Sequence, residues 1–268
     1  MKKTLISGLI LLLLTACSAK NNDTDLVVGM ECNSAPFNWT QLNETPGSIK
    51  LEEGLGYCDG YDVVISQAIA DELGLNLVIK DHAVFSSLIN SVQNGDIDLI
   101  VAGMTDTAER RQQIDFSNVY YRTDLVLVVK NDSKYVDAKS IKDFDSAHVA
   151  AQFATIHDEV LDQIPNVNHG VPLESYPLLT TALTKNAIDA FVAEKPIADA
   201  IAKSNSGLKV IVFDENEGFE ISDDEVTVSI GIKKGREELL EKVNKILDGF
   251  TDEDRNRMMQ EATERQPN

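Results

Sequence analysis

The chain has 268 residues, 44 acidic against 24 basic side chains and a formal charge of −20, with 43% apolar residues and a mean hydropathy of −0.15. That apolar share supplies one large core or two of ordinary size, too much for a disordered chain and too little for a protein that crosses membranes many times. An isoelectric point near 4.5 leaves no broad basic surface for a phosphate backbone, which excludes nucleic acid as a partner.

Met1, Lys2 and Lys3 precede an apolar run of about ten residues, Leu5 to Leu14, too short to cross roughly 30 Å of hydrocarbon as a stable helix. It reads as a signal peptide over residues 1–16. Leu14-Thr15-Ala16-Cys17 resembles the lipobox at which bacteria lipidate the thiol and cleave before it, which predicts a lipid anchor on Cys17 and a polar tether over 17–25. The body then works outside the cytoplasm, held to the cell membrane by lipid. Loss of Lys2 and Lys3 with the leader leaves it at −22. Cys32 and Cys58 remain, an even pair in an exported chain; their spacing leaves a disulfide and two buried thiols equally open.

Leu26-Val27-Val28-Gly29-Met30 is a short β-branched run, the pattern of a strand buried in a parallel sheet. Residues 39–56 are polar and carry Pro46-Gly47, Gly54 and Gly56, which predicts a hairpin or a long surface loop. Asp62, as N-cap, opens a helical pattern that stops at Gly74. A strand over 76–80 and a helix over 85–93 follow.

A weak internal repeat is the most informative pattern. Residues 88–103 lie over 179–194 with Leu88 on Leu179, Ile97-Asp98 on Ile188-Asp189 and Val101-Ala102 on Val192-Ala193. Each copy reads as helix, polar turn and an apolar strand beginning at the Ile-Asp, so one αβ unit is built twice and two similar lobes are expected. Ligands of open α/β sheets sit beyond the carboxyl ends of the strands. Gly103 to Arg110 in one lobe and Glu194 to Pro196 in the other should therefore face a shared cleft.

The residue types in that cleft suggest a ligand. Arg110 offers a planar fork that matches a carboxylate, and Thr105 with nearby backbone N–H groups completes an anion site. Thr155 opens a further helix candidate after Val149-Ala150-Ala151-Gln152, and a helix N-terminus also receives anions. Glu194 supplies the opposite charge. An anion clamp facing an acid suits a zwitterion, a free amino acid.

The ordered motifs Gly60-Tyr61-Asp62-Val63, Ile97-Asp98, Gly103-Met104-Thr105, Glu109-Arg110, Ile114-Asp115-Phe116-Ser117, Tyr120-Tyr121 and Ile188-Asp189-Ala190-Phe191 resemble the extracellular solute-binding proteins, family 3, of polar amino-acid ABC transporters. The resemblance runs from about residue 26 to the C-terminal helix. It implies a periplasmic-binding-protein-like (type II) α/β fold, with lobe 1 over 26–119 and 226–268, lobe 2 over 125–220, and hinges near 120–124 and 221–226. It implies that Arg110, helped by Thr105 and the backbone of Gly103 and Met104, grips the α-carboxylate, that Glu194 takes the α-ammonium, and that Thr155 closes on the carboxylate from the second lobe. Phe85 falls where the family stacks a side chain on the ligand, and Glu31 where it carries an acid that reads the ligand side chain. Ser34 stands where many members place an aromatic wall, and Ala154 where the second-lobe turn usually has Gly. A buried acid at Glu31 favours a cationic ligand (Arg, Lys or His), then Gln or Asn. The implied partners are a free polar amino acid, the permease subunits and the membrane; the implied state is a monomer without cofactor.

Other signals point elsewhere and are weaker. His82, His148, His157 and His169 have no metal-ligand spacing and read as surface or satisfied core residues. The acidic run 214–225 mimics a calcium loop, but Phe219 occupies the position that requires Gly. Neither a dinucleotide fingerprint nor a Gly-x-Ser-x-Gly elbow is present. The rival reading is a cyclohexadienyl-dehydratase-like lyase on the same scaffold, with Glu194 as general acid or base; the sequence places no second titratable group beside it.

Overall fold

The computed structural model describes residues 24–52, 54–222 and 226–266. The signal peptide, Cys17, nearly all of the tether and the centre of the 221–226 segment lie outside the described residues.

Val-, Ile- and Leu-rich runs form two five-stranded sheets. In the first, Asp25–Met30 pairs in parallel with Asn76–Asp81 on one side and Leu99–Ile100 on the other. Thr227–Ile232 then lies antiparallel between Leu99–Ile100 and the edge strand Asp115–Arg122. In the second, His148–Ala150 pairs in parallel with Asn168–His169 and Ala190–Glu194, and Leu125–Lys130 lies antiparallel between Ala190–Glu194 and Leu208–Ile211. The two sheets have one topology: the second strand of the unit at one edge, then the first, then the third, then an antiparallel strand supplied from the far side of a crossing. Val28, Leu99 and Ile100 in one sheet and Leu127, Val128 and Phe191 in the other are fully buried, as parallel strands covered on both faces require.

The chain crosses between the sheets twice. Asp115–Arg122 runs through Thr123 and Asp124 into Leu125–Lys130, and the return passes from Ile211 to Thr227. The Thr123 N–H donates to the Val226 carbonyl at 2.9 Å, so the two crossings are tied together.

Both copies of the repeat form a helix and a parallel strand, Leu88–Asn94 with Leu99–Ile100 and Tyr176–Thr184 with Ala190–Glu194. The strands begin directly after the Ile-Asp rather than at it, because the aspartates have another task. The Asp98 carboxylate accepts the Val27 N–H at 3.1 Å while its own N–H donates to the Val27 carbonyl. Asp189 does the same with His148, at 2.9 Å through the carboxylate. Each aspartate thus pins its strand to the first strand of its lobe.

Three local expectations change. Residues 39–56 are neither a simple hairpin nor a loop but part of a four-stranded antiparallel sheet made by Asn33–Ser34, Asn38–Gln41, Ile49–Lys50 and Tyr57–Asp59. The helix opened by Asp62 instead begins at Tyr61 with Gly60 as N-cap, at φ +135°, where a Cβ would lie 2.2 Å from the Phe37 carbonyl oxygen. Asp62 points inward, wholly buried, and accepts from Asn38 and Tyr120 at 2.7 Å each. The segment from Phe85 opens as a 3-10 turn, Phe85–Ser87, before the α-helix.

Cys32 and Cys58 are bridged, with Cα atoms 5.8 Å apart, so the small sheet is fastened to the loop that leaves the first strand. The last helix, Asp252–Arg265, opens on a Thr251–Asp254 capping box and packs beside Tyr61–Leu73; Arg265 reaches the buried Asp59 at 2.9 Å. No helix of the described residues is long and apolar enough to cross a membrane.

Candidate ligand-binding site

The carboxyl ends of the repeated strands meet across a narrow cavity between the two sheets. Glu31, Ser34, Phe85, Gly103, Thr105, Arg110, Thr155 and Glu194 all line it. Met104 does not. Its side chain is buried toward a neighbouring outer groove, and its carbonyl accepts the Ser229 N–H at 2.9 Å.

Arg110 sits in the one-turn helix Ala108–Arg111, capped by the Thr107 hydroxyl, which accepts the Arg110 N–H. Its guanidinium donates to the Thr105 carbonyl at 2.7 Å and, across the cleft, to the Ala154 carbonyl at 2.9 Å, and lies 5.2 Å from the centre of the Phe85 ring. Burial lowers its pKa to about 10, still far above neutrality, so it remains a cation. Among the described residues no carboxylate lies within ion-pair distance of it. Held by carbonyls and a ring, this buried cation has no anionic partner among the described residues.

Glu194, at the end of its strand, is the opposite pole. The Tyr176 hydroxyl donates to its Oε2 at 2.6 Å, and His157 Nε2 lies 3.3 Å from its Oε1. Burial raises the carboxyl pKa, but the His157 charge and the hydrogen bonds from His157 and Tyr176 outweigh it, and the net shift is downward. Glu194 stays ionised.

Glu31 follows the first strand of its lobe and is 4% exposed. Gln152 Nε2 donates to its two oxygens at 3.1 and 3.3 Å from the other lobe. Burial pushes its pKa to about 8, with the charges of Glu194 and Asp81 adding to the rise and the Gln152 and Asn33 hydrogen bonds opposing it. Ser34 contributes a small polar wall, its hydroxyl turned to Asn33 Oδ1. Thr155 is the N-cap of the short helix Ile156–Glu159, but its hydroxyl donates to the Gln152 carbonyl rather than accepting from the helix. Ala154, in the turn before it, adopts φ +60° although it is not glycine.

Seven further residues line the cavity, among them Gln152, His157, Tyr176 and Phe37, to which the sequence reading gave no role in the site. His157 is no surface residue and supplies the titratable neighbour that Glu194 was expected to lack. A signal for Tyr176 exists. Extended three residues upstream, the repeat places Tyr176 on Phe85, and the two rings face the cavity from opposite lobes. No group of three His, Cys, Asp or Glu side chains among the described residues is placed to hold a metal ion.

Two similar α/β sheets thus bring a buried guanidinium and a carboxylate to one cavity. The chain belongs to the bacterial extracellular solute-binding proteins, family 3, whose model matches residues 26–261. It is similar to the arginine-binding extracellular protein ArtP of Bacillus subtilis (strain 168), 28% identical over 92% of this chain and 91% of that protein. It is also similar to the ABC transporter glutamine-binding protein GlnH of the same organism, 30% identical over 86% of this chain and 77% of the relative. Among solved structures, the amino acid ABC transporter substrate-binding protein AbpA of Streptococcus pneumoniae Canada MDR_19A bound to L-arginine superposes with a TM-score of 0.75, at 26% identity over 90% of this chain and 95% of that one.

Proposed function

We propose that this chain captures a polar amino acid outside the cytoplasm, cationic ligands first and Gln or Asn after them, and hands it to the permease of an ABC importer. The observation that carries the reading is the buried Arg110 guanidinium, with no carboxylate of the described residues within ion-pair distance, facing an ionised Glu194 across one cavity. A ligand carboxylate completes the first and an α-ammonium engages the second. Glu31 then meets the side chain; ionised by a guanidinium or ammonium it forms a charge-assisted bond, whereas an amide meets it neutral. The arginine- and glutamine-binding relatives accord with both options.

The tied crossings at Thr123 and Val226 act in this reading as the hinge, and ligand contacts from both lobes favour the closed form that a permease recognises. Lipid on Cys17 keeps the receptor at the membrane. The test is a thermal-shift screen of the twenty amino acids, since a ligand that binds only the native state raises its stability by RT ln(1 + [L]/Kd). Arg, Lys, His, Gln or Asn should shift the transition and the remaining amino acids should not. The Arg110→Ala variant should lose the shift; affinity retained within about threefold, or roughly 0.65 kcal/mol, would overturn the assigned clamp.

The dehydratase-like lyase has one observation in its favour, His157 at 3.3 Å from Glu194. A general acid–base pair there would convert a small carboxylic acid with loss of water, so a dehydrated product formed at catalytic turnover would establish it.

A further inference from the structure

Glu194, His157 and Tyr176 form a closed triangle: His157 Nε2 to Glu194 Oε1 at 3.3 Å, the Tyr176 hydroxyl to Glu194 Oε2 at 2.6 Å, and the same hydroxyl to His157 Nδ1 at 3.3 Å. All three are buried. Counting protons decides the state of the ring. The single hydroxyl hydrogen of Tyr176 goes to Glu194, so its oxygen can only accept from Nδ1, and the carboxylate oxygen can only accept from Nε2. Both contacts are satisfied when His157 carries two N–H groups; either neutral tautomer sets a nitrogen lone pair against an oxygen lone pair. The triangle is built for an imidazolium.

An imidazolium on Glu194 occupies the charge balance that the α-ammonium of an amino acid would use. We infer that His157, when protonated, stands in for the ligand ammonium, so that the cavity takes α-desamino carboxylates in that state and α-amino acids when His157 is neutral. The inference rests on the proposed amino-acid site. Arg110 grips a carboxylate in either case. With His157 charged, the cluster at that end holds one cation for one anion, and a carboxylate without an ammonium leaves it balanced. An α-ammonium would place two cations on one carboxylate, so an amino acid enters with release of one proton from the ring.

The charged groups around His157 come from every side of the cavity: Glu194 on its strand, Tyr176 on its helix, Glu31 from the other lobe, Arg110 opposite, and Asp158 and Glu159 on its own short helix. Glu31 titrates as well, so a plain pH profile would mix the two. A ratio of two ligands that share a side chain and differ only at the α-carbon cancels Glu31, Arg110 and the carboxylate contacts.

The experiment is calorimetry of the full-length chain with L-arginine and with 5-guanidinopentanoate, arginine without its α-amino group, at about pH 5.5 and pH 8.5, which bracket the range in which imidazoles ordinarily titrate. The pair becomes lysine with 6-aminohexanoate, or glutamine with 4-carbamoylbutanoate, if arginine does not bind. The amino acid's advantage over its analogue should grow at least about tenfold between the two pH values. At the lower pH, buffers of different ionisation enthalpy should report about one proton more released by the amino acid than by the analogue, the Glu31 contribution being common to both. In His157→Gln the ratio should change less than about twofold with pH. A pH-invariant ratio and equal proton release by the two ligands in the wild type would overturn the inference whether or not the variant folds, while leaving the amino-acid site standing. A His157→Gln protein that keeps the wild-type slope would overturn it too. No binding by any of the three amino acids at either pH would overturn the proposed function itself, and the inference with it.

Discussion

At Glu31 the cost of burying a carboxylate becomes a readable property. Its folded pKa of about 8 stands above the ordinary 4.5 because burial disfavours the charge. The native state therefore holds a proton that the unfolded chain has released. Between those two values stability falls as pH rises, and what the protonated carboxyl contributes is fully present below about 4.5 and gone above about 8. Thermal melting of the ligand-free protein should drop more steeply from pH 5 to pH 8 in the wild type than in Glu31→Gln. Affinity for a cationic side chain should rise more steeply over the same window than affinity for glutamine; equal slopes for arginine and glutamine would remove Glu31 from side-chain recognition. Ala154 carries a smaller cost. An L-residue at φ +60° gives up roughly 1–2 kcal/mol that glycine does not, offset in part by the greater freedom of glycine in the unfolded chain. Ala154→Gly should thus stabilise the protein by about 0.5 kcal/mol in urea unfolding, with the Arg110 contact to the residue 154 carbonyl retained.

The elements show why some of the molecule was legible in its sequence and some was not. Period and punctuation located the strand at 26–30 and the stop at Gly74, in a left-handed C-cap, because these depend on neighbours along the chain. The repeat foretold two matching αβ units, and its Ile-Asp pairs turned out to be the same strand pin in both lobes. That pin also sets the lobes in register: Val27 matches His148, which makes Glu31 the counterpart of Gln152, and these two meet across the cleft. Nothing in the local pattern marked Gln152, His157 or Asp62, whose roles come from partners 121, 37 and 58 residues away. The small sheet was hidden for a related reason: its strands are two to four residues long, too short for periodicity to register. Its integrity depends on the Cys32–Cys58 bridge, which closes a loop of 26 residues. Loss of such a cross-link costs about 3 kcal/mol, so Cys58→Ser or reduction should lower stability by roughly that amount, measured as a shifted urea midpoint.

For the whole molecule, the order of strands matters more than any single contact. The second sheet is built from one continuous stretch, Leu125 to Ile211, whereas the first takes its fourth strand, Thr227–Ile232, from beyond it and seats that strand between Leu99–Ile100 and Asp115–Arg122. A chain ending at residue 225 should keep hydrogen-exchange protection in the 125–211 strands and lose it in the 25–122 strands; protection in both would mean that the first sheet closes without its insert. A ribosome or an export channel delivers the chain from one end. The first sheet therefore keeps its Leu99–Ile100 edge unpaired until Thr227–Ile232 has arrived, after the whole second sheet, so the sheet begun first is finished last.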